Sequence, residues 1–304
     1  MRQDNASAGW PFCATDVWTR ETASFDSAFN AEGINSVEDE FYNTRFSGVT
    51  QGDIRLYVWF MWTYYKLLRQ RDVLGLFDRI ESTLPANPDN RVLVDGKLVP
   101  VGVPMAIGGR KISVDLLFSI DDFYNIYELM PDIATKDGIV VADLGAGWGR
   151  LGHVLLQVNP GITYLVFDIP EPLLVASTYL PGVLADFSVS SYRESRVLDK
   201  IDRETLGKKS IWFFGAQRIE DFPVGSIDVI ANIASFQEMT IDQVNCYLDI
   251  FRNVAKGGHI YLRNEITGIS SNFDDSQLSQ GCEQVYRRLC RFSPHFMEAG
   301  YRVI

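Results

Sequence analysis

The sequence predicts an α/β protein with a doubly wound, mostly parallel sheet that follows a mainly helical N-terminal domain carrying a β-hairpin. Three observations support this prediction. After residue 138, short apolar runs typical of buried strands alternate with stretches of helical periodicity. A glycine-rich turn follows the first of these strands. Ahead of residue 137 the apolar residues have mostly helical spacing, so we divide the chain into domains 1–136 and 137–304.

Strands and helices alternate through the C-terminal domain. Helices are predicted over 149–158 and 171–180. A further helix begins with the capping-box pattern that runs from Thr240 to Gln243, and it ends at Gly257-Gly258. Such alternation predicts a parallel sheet whose ligands bind at the carboxyl ends of the strands. The predicted strands cover 139–142, 162–167, 210–214, 227–233 and 259–263.

The N-terminal domain is expected to combine helices with a hairpin. An aromatic-rich stretch over 53–84 predicts one or two helices, and residues 112–130 have mostly helical spacing. Between them, an Asp95-Gly96 pair joins two β-branched runs over 92–99, which is a strong hairpin signal. We expect the aromatic residues to form the core of this domain, and an exposed remainder would suit a homodimer interface.

The charge of the chain limits its partners. The 304 residues include 28 Lys and Arg against 39 Asp and Glu, which gives a formal net charge of −11 and a pI of about 4.8. An acidic surface repels phosphate backbones, so we expect no nucleic-acid partner. A hydrophobic fraction of 46% with 22% charged residues is ordinary for a globular protein, and it excludes a disordered or fibrous chain.

The cysteines and the longest apolar stretch favour a cytoplasmic protein. Four cysteines are scattered without the spacing of a metal site, and the sequence does not open with a signal-peptide pattern. We therefore expect reduced thiols and no bound metal. The apolar stretch 54–68 is about fifteen residues long, against the ~20 needed to span a membrane, so it predicts a buried helix.

One motif carries most of the functional information. Directly after the first predicted strand, Asp143 opens the pattern D-x-G-x-G-x-G. Glycine allows positive φ and lets a ligand approach the backbone closely. The dinucleotide fingerprint G-x-G-x-x-G would require a glycine where this chain has Arg150. The second predicted strand ends at Asp168, whose carboxylate can accept both hydroxyls of a ribose.

The glycine motif followed by Asp168 resembles class I S-adenosylmethionine-dependent methyltransferases, over residues 140–265. Two shorter stretches, 235–239 and 119–124, resemble the sugar O-methyltransferases of bacterial polyketide and surface-glycan pathways. The resemblance implies a Rossmann-like sheet, with S-adenosyl-L-methionine as cofactor and S-adenosyl-L-homocysteine as product. It also implies methyl transfer to a sugar hydroxyl of a glycosylated natural product or a surface glycan.

The end of the sheet is expected to depart from this family. Such domains usually end with a sixth strand and an antiparallel seventh. Residues 299–304 are predicted to enter the sixth strand, so the seventh would be missing or replaced by a partner or an upstream segment. His295 is predicted to lie in a C-terminal helix, and structural roles are expected for it, for His153 and for His259.

The resemblance implies a set of cofactor contacts. The backbone of the glycine turn should contact the methionine portion, and Asp143 should fix the turn or meet the amino group. Gln217, after the third strand, should bond the exocyclic amine of adenine. Arg150 would either pair with the carboxylate of the donor or be an ordinary surface arginine. The expected cofactor-binding residues are Asp143, Gly145, Ala146, Gly147, Gly149, Arg150, Asp168, Ile169, Ala216, Gln217 and Asn232.

A general base is expected on the acceptor side. A sugar hydroxyl is weakly nucleophilic at neutral pH, so a carboxylate beyond the fourth or fifth strand should remove its proton. Glu238, in the loop after the fourth strand, and Glu265, which ends the fifth, are the candidate catalytic residues. Asn264, Tyr124 and Ser235 are the candidate substrate-binding residues. In the alternative interpretation, Glu238 is a solvated residue ahead of a helix or pairs with an arginine.

Other functions stay open at this stage. The acceptor could be another small metabolite or an amine, and the chain could be a non-catalytic module that binds the donor and serves a partner enzyme. A nicotinamide or flavin binder is a further alternative. Methylation of bases usually goes with an Asn-Pro-Pro-Tyr-like loop after the fourth strand. Residues 232–235 contain no proline, which disfavours a nucleic-acid substrate.

Overall fold

The computed structural model describes residues 64–83, 91–94, 97–100, 104–107, 110–266, 275–290 and 293–304. Residues 64–71 form helix α1, and Leu76–Thr83 form helix α2. The carboxylate of Asp72 accepts hydrogen bonds from the backbone N–H groups of Leu76 and Phe77, which caps α2 at its first turn. The helical prediction is therefore confirmed over most of 64–83, and the remainder of 53–84 lies outside the described residues.

Two hairpins precede the sheet. Arg91–Val94 (β1) pairs antiparallel with Lys97–Pro100 (β2), so the hairpin predicted around Asp95-Gly96 is confirmed. Pro104–Ile107 (β3) pairs with Arg110–Ser113 (β4) in a second hairpin, which was not predicted. The Gly-Gly pair between β3 and β4 in the sequence is a hairpin signal of the same kind. It was overlooked because each strand has four residues and little alternation.

Helix α3, Val114–Leu129, connects the hairpins to the sheet. It confirms the helix predicted over 112–130, although it starts later because residues 110–113 belong to β4. Helix α3 packs on helix α4, Arg150–Val158, and on the last strand of the sheet. Our domain boundary places α3 in the N-terminal domain, and the structure shows this helix in contact with the sheet that follows.

All five predicted parallel strands are present. They are Val140–Leu144 (β5), Thr163–Asp168 (β6), Ser210–Gly215 (β8), Val229–Ile233 (β9) and His259–Glu265 (β10). Three further strands complete the sheet, namely Ser188–Ser190 (β7), Cys282–Cys290 (β11) and Ser293–Val303 (β12). Within the described residues the sheet has eight strands in the order β7-β8-β6-β5-β9-β10-β12-β11. The prediction of a doubly wound, mostly parallel sheet is thus confirmed.

Helices cover both faces of this sheet. Thr240 and Gln243 form the predicted capping box at the start of helix α8, Ile241–Val254, with each side chain bonded to the backbone N–H of the other. No helix in the described parts of the chain is both long and apolar enough to cross a bilayer. The remaining helices are Pro170–Val183 (α5), Tyr192–Arg196 (α6) and Arg203–Leu206 (α7).

The prediction for the end of the chain was wrong. Residues 299–304 do not enter a sixth strand; residues 299–303 belong to β12, which runs antiparallel between β10 and β11. If the short, unpredicted strand β7 is left out of the count, β11 is the sixth strand and β12 is the antiparallel seventh, so both expected strands are present, and His295 lies on β12 instead of a helix. The error has a physical cause: β11 is an edge strand, and most of its side chains are exposed, so it shows no continuous apolar run.

Two apolar layers enclose the central strands. Every residue of β5, β6, β8 and β9 is buried, as expected for parallel strands covered on both faces. One layer lies between the sheet and α3, α4 and α5, and it includes Phe123 and Tyr164. The other lies beneath α8 and includes Phe214 and Phe251. Ligands therefore have access to the sheet at its carboxyl-terminal edge.

Gly152 offers a test of the packing between α4 and the sheet. A Cβ at this position would overlap the buried ring of Tyr164, whereas a Cβ at Gly182 in α5 would meet no described atom within 4 Å. We expect Gly152→Ala to lower the free energy of unfolding by about 1–3 kcal/mol through overpacking. The matched control, Gly182→Ala, should be neutral or should raise it by about 0.5–1 kcal/mol. Urea unfolding measures both, and a Gly152→Ala protein as stable as the wild type would contradict this packing.

Candidate active site

The carboxyl ends of the central strands bring the predicted site residues to one edge. The strand register pairs Asp168 at the end of β6 with Gly215 at the end of β8. Leu144 at the end of β5 pairs with Phe167 on one side and with Asn232 on the other. Backbone pairing alone therefore gathers the glycine turn, Asp168 and the loop after β9 at the place where α/β sheets bind ligands.

The glycine turn needs its glycines for two separate reasons. Gly145, Gly147 and Gly149 have φ values of +73°, +60° and +86°, which favour glycine strongly. A Cβ at Gly145 would also overlap the Ser235 side chain, so the turn and the loop after β9 touch at this point. At Gly147, by contrast, no described atom lies within 4 Å of where a Cβ would be. The turn is thus packed at its start and open at its centre.

Asp168 holds this turn in place. Its Oδ2 accepts a hydrogen bond from Gly147 N at 2.7 Å, and its Oδ1 accepts one from Ile169 N at 2.7 Å. Burial raises the pKa of Asp168 to about 7, against the two backbone hydrogen bonds that lower it; the negative charges of Asp143 and Glu238 raise it further. A carboxylate has roughly four acceptor positions, so Asp168 retains capacity for a ligand hydroxyl.

Asp143 lies beneath the turn and faces the neighbouring strand. Its Oδ2 accepts a hydrogen bond of 2.5 Å from the hydroxyl of Tyr164, the residue that packs against Gly152. Burial raises the pKa of Asp143 to about 6, while the hydrogen bond from Tyr164 and the charge of Arg150 act in the opposite direction. In this arrangement Asp143 connects β5 to β6 below the glycine turn.

Arg150, the first residue of α4, is directed at helix α3. Its Nη1 donates to the carbonyl of Asp115 at 3.2 Å and to Ser119 Oγ at 3.0 Å, and it lies 3.6 Å from Asp122 Oδ2. These three partners share one face of α3, because their spacing of four and three residues corresponds to single helical turns. Arg150 therefore ties the glycine turn to α3 in addition to any contact with a ligand.

Two asparagines join the turn to the loop after β9. Asn232 Nδ2 donates to the carbonyl of Leu144 at 2.9 Å. Asn264 Oδ1 accepts hydrogen bonds from the backbone N–H groups of Ser235 and Phe236, both at 3.0 Å, and its Nδ2 donates to Asn232 Oδ1 at 2.9 Å. Both amides are fully buried. These hydrogen bonds are made to other residues of the protein, so the two asparagines hold the glycine turn and the loop after β9 in position.

The loop after β9 presents the candidate base at the rim. Ala234 has a φ of +54°, a left-handed conformation that costs energy for a residue with a Cβ. A single 3-10 turn, Phe236–Glu238, follows and is anchored by the buried ring of Phe236. Gln237 Oε1 accepts a hydrogen bond from Glu265 N, which brings Glu265 to the same rim. Glu238 follows β9 and Asp168 ends β6, so the two residues lie at the same end of these parallel strands.

Ala216 and Gln217 border the site on its other side. They begin a 3-10 helix, Ala216–Asp221, directly after β8. The Gln217 amide lies over Gly215, where a Cβ would come within 2.6 Å of Gln217 Oε1. Because Gly215 is the register partner of Asp168, Gln217 is brought close to the carboxylate on which the glycine turn depends.

Tyr124 is placed away from these residues. It lies about 180° around α3 from Asp115, at nine residues of roughly 100° each. Its hydroxyl donates to Asp72 Oδ1 at 2.9 Å, and the Arg71 guanidinium lies 5.7 Å from its ring centroid. Tyr124 therefore faces α1 and α2, whereas the Arg150 side of α3 faces the glycine turn.

Sequence reasoning missed Asp122 and Arg263. Asp122 Oδ1 lies 2.9 Å from Arg263 Nη1 and accepts a hydrogen bond of 2.8 Å from the hydroxyl of Tyr261, and both ion-pair partners are buried. The stretch 119–124 was noticed only for its family resemblance. The available signal was a pair of adjacent acidic residues, Asp121 and Asp122, in the middle of a helix in which most residues are apolar.

Comparisons with known proteins give similarity at the level of structure. No family model and no curated protein match the sequence. A S-adenosylmethionine-dependent methyltransferase from Aquifex aeolicus has a TM-score of 0.38 and 15% identity, covering 58% of this chain and 88% of that one. An arsenic(III) S-adenosylmethionine methyltransferase from Chlamydomonas reinhardtii has a TM-score of 0.37 and 16% identity, covering 56% and 65%.

The mitomycin 7-O-methyltransferase MmcR has a TM-score of 0.41 and 15% identity, and the match covers 62% of this chain and 57% of that one. Scores and identities in this range give no ground for transferring a substrate or an activity to this chain. The arguments about function below are therefore drawn from its own residues.

The raised pKa of Asp168 has a consequence for stability. The pKa is about 7 in the folded protein and about 3.9 in an unfolded chain, so folding favours the protonated carboxyl. This contribution to stability is fully present below pH ~4 and is lost as the pH rises through ~7. Asp168→Asn removes the titration, so the unfolding free energy of the variant relative to the wild type should increase by a few kcal/mol between pH 4 and pH 8. Denaturant unfolding across this range tests it, and a pH-independent difference would contradict it.

Proposed function

We propose that this protein is an S-adenosylmethionine-dependent methyltransferase. The observation that carries the proposal is the bond between Asp168 and Gly147 N, which joins the acid after the second strand to the centre of a D-x-G-x-G-x-G turn. The sheet that supports this turn ends with a sixth strand and an antiparallel seventh, as in the family that the motif resembles. A dinucleotide fingerprint would have its third glycine at position 150. This chain has Arg150 there, and the Arg150 side chain donates a hydrogen bond to Ser119 of α3.

The residues present fit such a donor. Asp168 has unused acceptor positions for ribose hydroxyls, and the turn is open at Gly147, where a backbone can be approached closely. The residues proposed to hold the adenine side are Ile169, Ala216 and Gln217. The backbone of the glycine turn would hold the methionine portion. Asn232 and Asp143 would contribute indirectly, by supporting the glycine turn that contacts the donor.

In this reaction the main task of the protein is to position the acceptor hydroxyl relative to the methyl group of the donor. When bound, the donor supplies a methyl group already activated by its sulfonium, so that a carbon–oxygen bond forms in line as the carbon–sulfur bond breaks and its electron pair stays on sulfur. The protein must hold the acceptor hydroxyl in line, exclude water and receive the proton. Glu238 is the proposed general base, because the 3-10 turn that carries it follows β9 at the same end of the sheet as Asp168.

The proposed acceptor is a sugar hydroxyl of a glycosylated natural product or a surface glycan. The support is the resemblance of residues 235–239 and 119–124 to sugar O-methyltransferases, together with an acidic chain that is unsuited to a nucleic-acid substrate. We propose that residues 1–136 close over the acceptor or mediate dimerisation, and that the protein is cytoplasmic. A module that binds the donor without catalysis is the second candidate, and turnover separates the two.

Calorimetric titration with S-adenosyl-L-homocysteine tests the cofactor. We expect micromolar binding to the wild type and at least about a tenfold loss in Asp168→Ala, because the variant removes both the ribose acceptor and the bond to Gly147. The control variant is Asp186→Ala, an exposed aspartate that should bind as tightly as the wild type. NADH serves as the control ligand. Binding of NADH, or of neither ligand, would overturn the proposal.

Methyl transfer to a panel of glycosides and nucleotide sugars tests the base. Glu238→Gln keeps the size of the side chain and removes its basicity, so we expect turnover to fall about 10²–10⁴-fold. Affinity for S-adenosyl-L-homocysteine should stay within about threefold of the wild type. Glu265→Gln is the comparison, because Glu265 shares the rim. Unchanged turnover in Glu238→Gln would show that the base lies elsewhere, and loss in Glu265→Gln alone would assign it to that residue.

A further inference from the structure

A second polar cluster lies where helix α3 meets the end of the sheet. It consists of Asp121 on α3, Cys290 at the end of β11 and Glu298 on β12. Each residue offers one donor atom, a carboxylate oxygen or the thiol sulfur, and these three atoms lie within 4.8 Å of one another. Their exposed fractions are only 1%, 4% and 2%. The cluster is outside the candidate active site, and none of its members has a role in the proposed reaction.

The two carboxylates of the cluster are close enough to disfavour each other's charge. Burial raises the pKa of Asp121 to about 6, and the charge of Glu298 is the largest further contribution in that direction. One oxygen of Glu298, Oε1, is buried without a hydrogen-bond partner among the described residues. Burying a carboxylate oxygen without a hydrogen-bond partner costs free energy unless a bound ligand or ion interacts with that oxygen. This observation is independent of the spacing of the three residues.

An arginine pairs with each of the two carboxylates. Arg71 Nη1 lies 2.8 Å from Asp121 Oδ1, and Arg288 Nε lies 3.3 Å from Glu298 Oε2. Both arginines are partly exposed. The fully buried Arg263 pairs with Asp122, and its positive charge also opposes the rise in the pKa of Asp121. Metal-ligating carboxylates are commonly held by such outer hydrogen bonds, which fix their orientation and leave another oxygen for the metal.

We propose that Asp121, Cys290 and Glu298 form a binding site for a divalent cation of the zinc class. Magnesium and calcium do not take thiolate ligands, whereas zinc accepts sulfur and carboxylate oxygen together. Neighbouring ligand atoms around a tetrahedral zinc are about 3.3–3.8 Å apart, so the three donors need to approach one another by at most about 1.5 Å. Cys290 lies next to a register irregularity in β11, where local adjustment of a strand is easiest.

The cation would act as a structural clamp. Its three ligands come from α3 and from the sixth and seventh strands, so it would fix the helix that holds Arg150 to the far end of the sheet. The sequence offers no spacing that predicts such a site, because Asp121 is distant in sequence from Cys290 and Glu298, and those two are on strands that pair antiparallel. The expectation of no bound metal rested on sequence spacing alone.

The test is a zinc titration of the full-length protein, purified under reducing conditions and freed of metal. Competition against a chromophoric chelator should give about one equivalent of bound zinc per chain. Cys290→Ser and Glu298→Gln should each weaken zinc affinity at least about tenfold. Cys282→Ser is the matched control, since Cys282 is a buried cysteine at the opposite end of the same strand, and it should leave the affinity unchanged.

The wild-type protein provides a readout that needs no variant to fold. Replacing zinc with Co²⁺ should produce a thiolate-to-cobalt charge-transfer absorption in the near ultraviolet. No zinc uptake by the wild type, no such absorption, or an equal loss of affinity in Cys282→Ser and Cys290→Ser would overturn the proposal. None of these measurements involves S-adenosyl-L-homocysteine, so their outcome tests the metal site independently of the proposed function.

Discussion

The buried carboxylate of Asp122 is the interaction on which the arrangement of the site depends. Burial raises its pKa, and the positive charges of Arg263 and Arg150 oppose that effect. Breaking a buried ion pair by removing one partner typically costs 3–5 kcal/mol, because the other charge is left uncompensated. The ion pairs of Asp122 with Arg150 and with Arg263 therefore fix the position of α3 relative to the sheet.

Through these two arginines a single helix supports both walls of the site. Arg150 is the first residue after the glycine turn, and Arg263 immediately precedes Asn264, whose amide holds the loop that carries Glu238. The two walls also touch directly, where Gly145 meets Ser235. The proposed donor-binding side and the proposed acceptor side are thus parts of one hydrogen-bonded framework. A shift in the position of α3 would therefore alter both sides.

The parts of this architecture that could be predicted are those encoded locally. Continuous apolar runs indicated β5, β6, β8, β9 and β10, and the glycines together with Asp168 indicated the site edge, because strand ends and turns leave signals within a few residues. The edge strand β11 has no such run. The pairing of Asp122 with Arg263, and the hydrogen bonds from the Asn264 side chain to the loop, join segments distant in sequence, and no local pattern encodes which of many polar side chains will meet.

The position of β12 inside the sheet has a consequence for how the protein assembles. Among the described strands, β11 is hydrogen-bonded only to β12, which follows it in the chain. During synthesis, β11 must therefore wait without a partner until the later segment has inserted beside β10. The order in which the sheet closes is then the reverse of the order in which these two strands leave the ribosome, and the unpaired backbone of β11 is open to pairing with another chain in that interval.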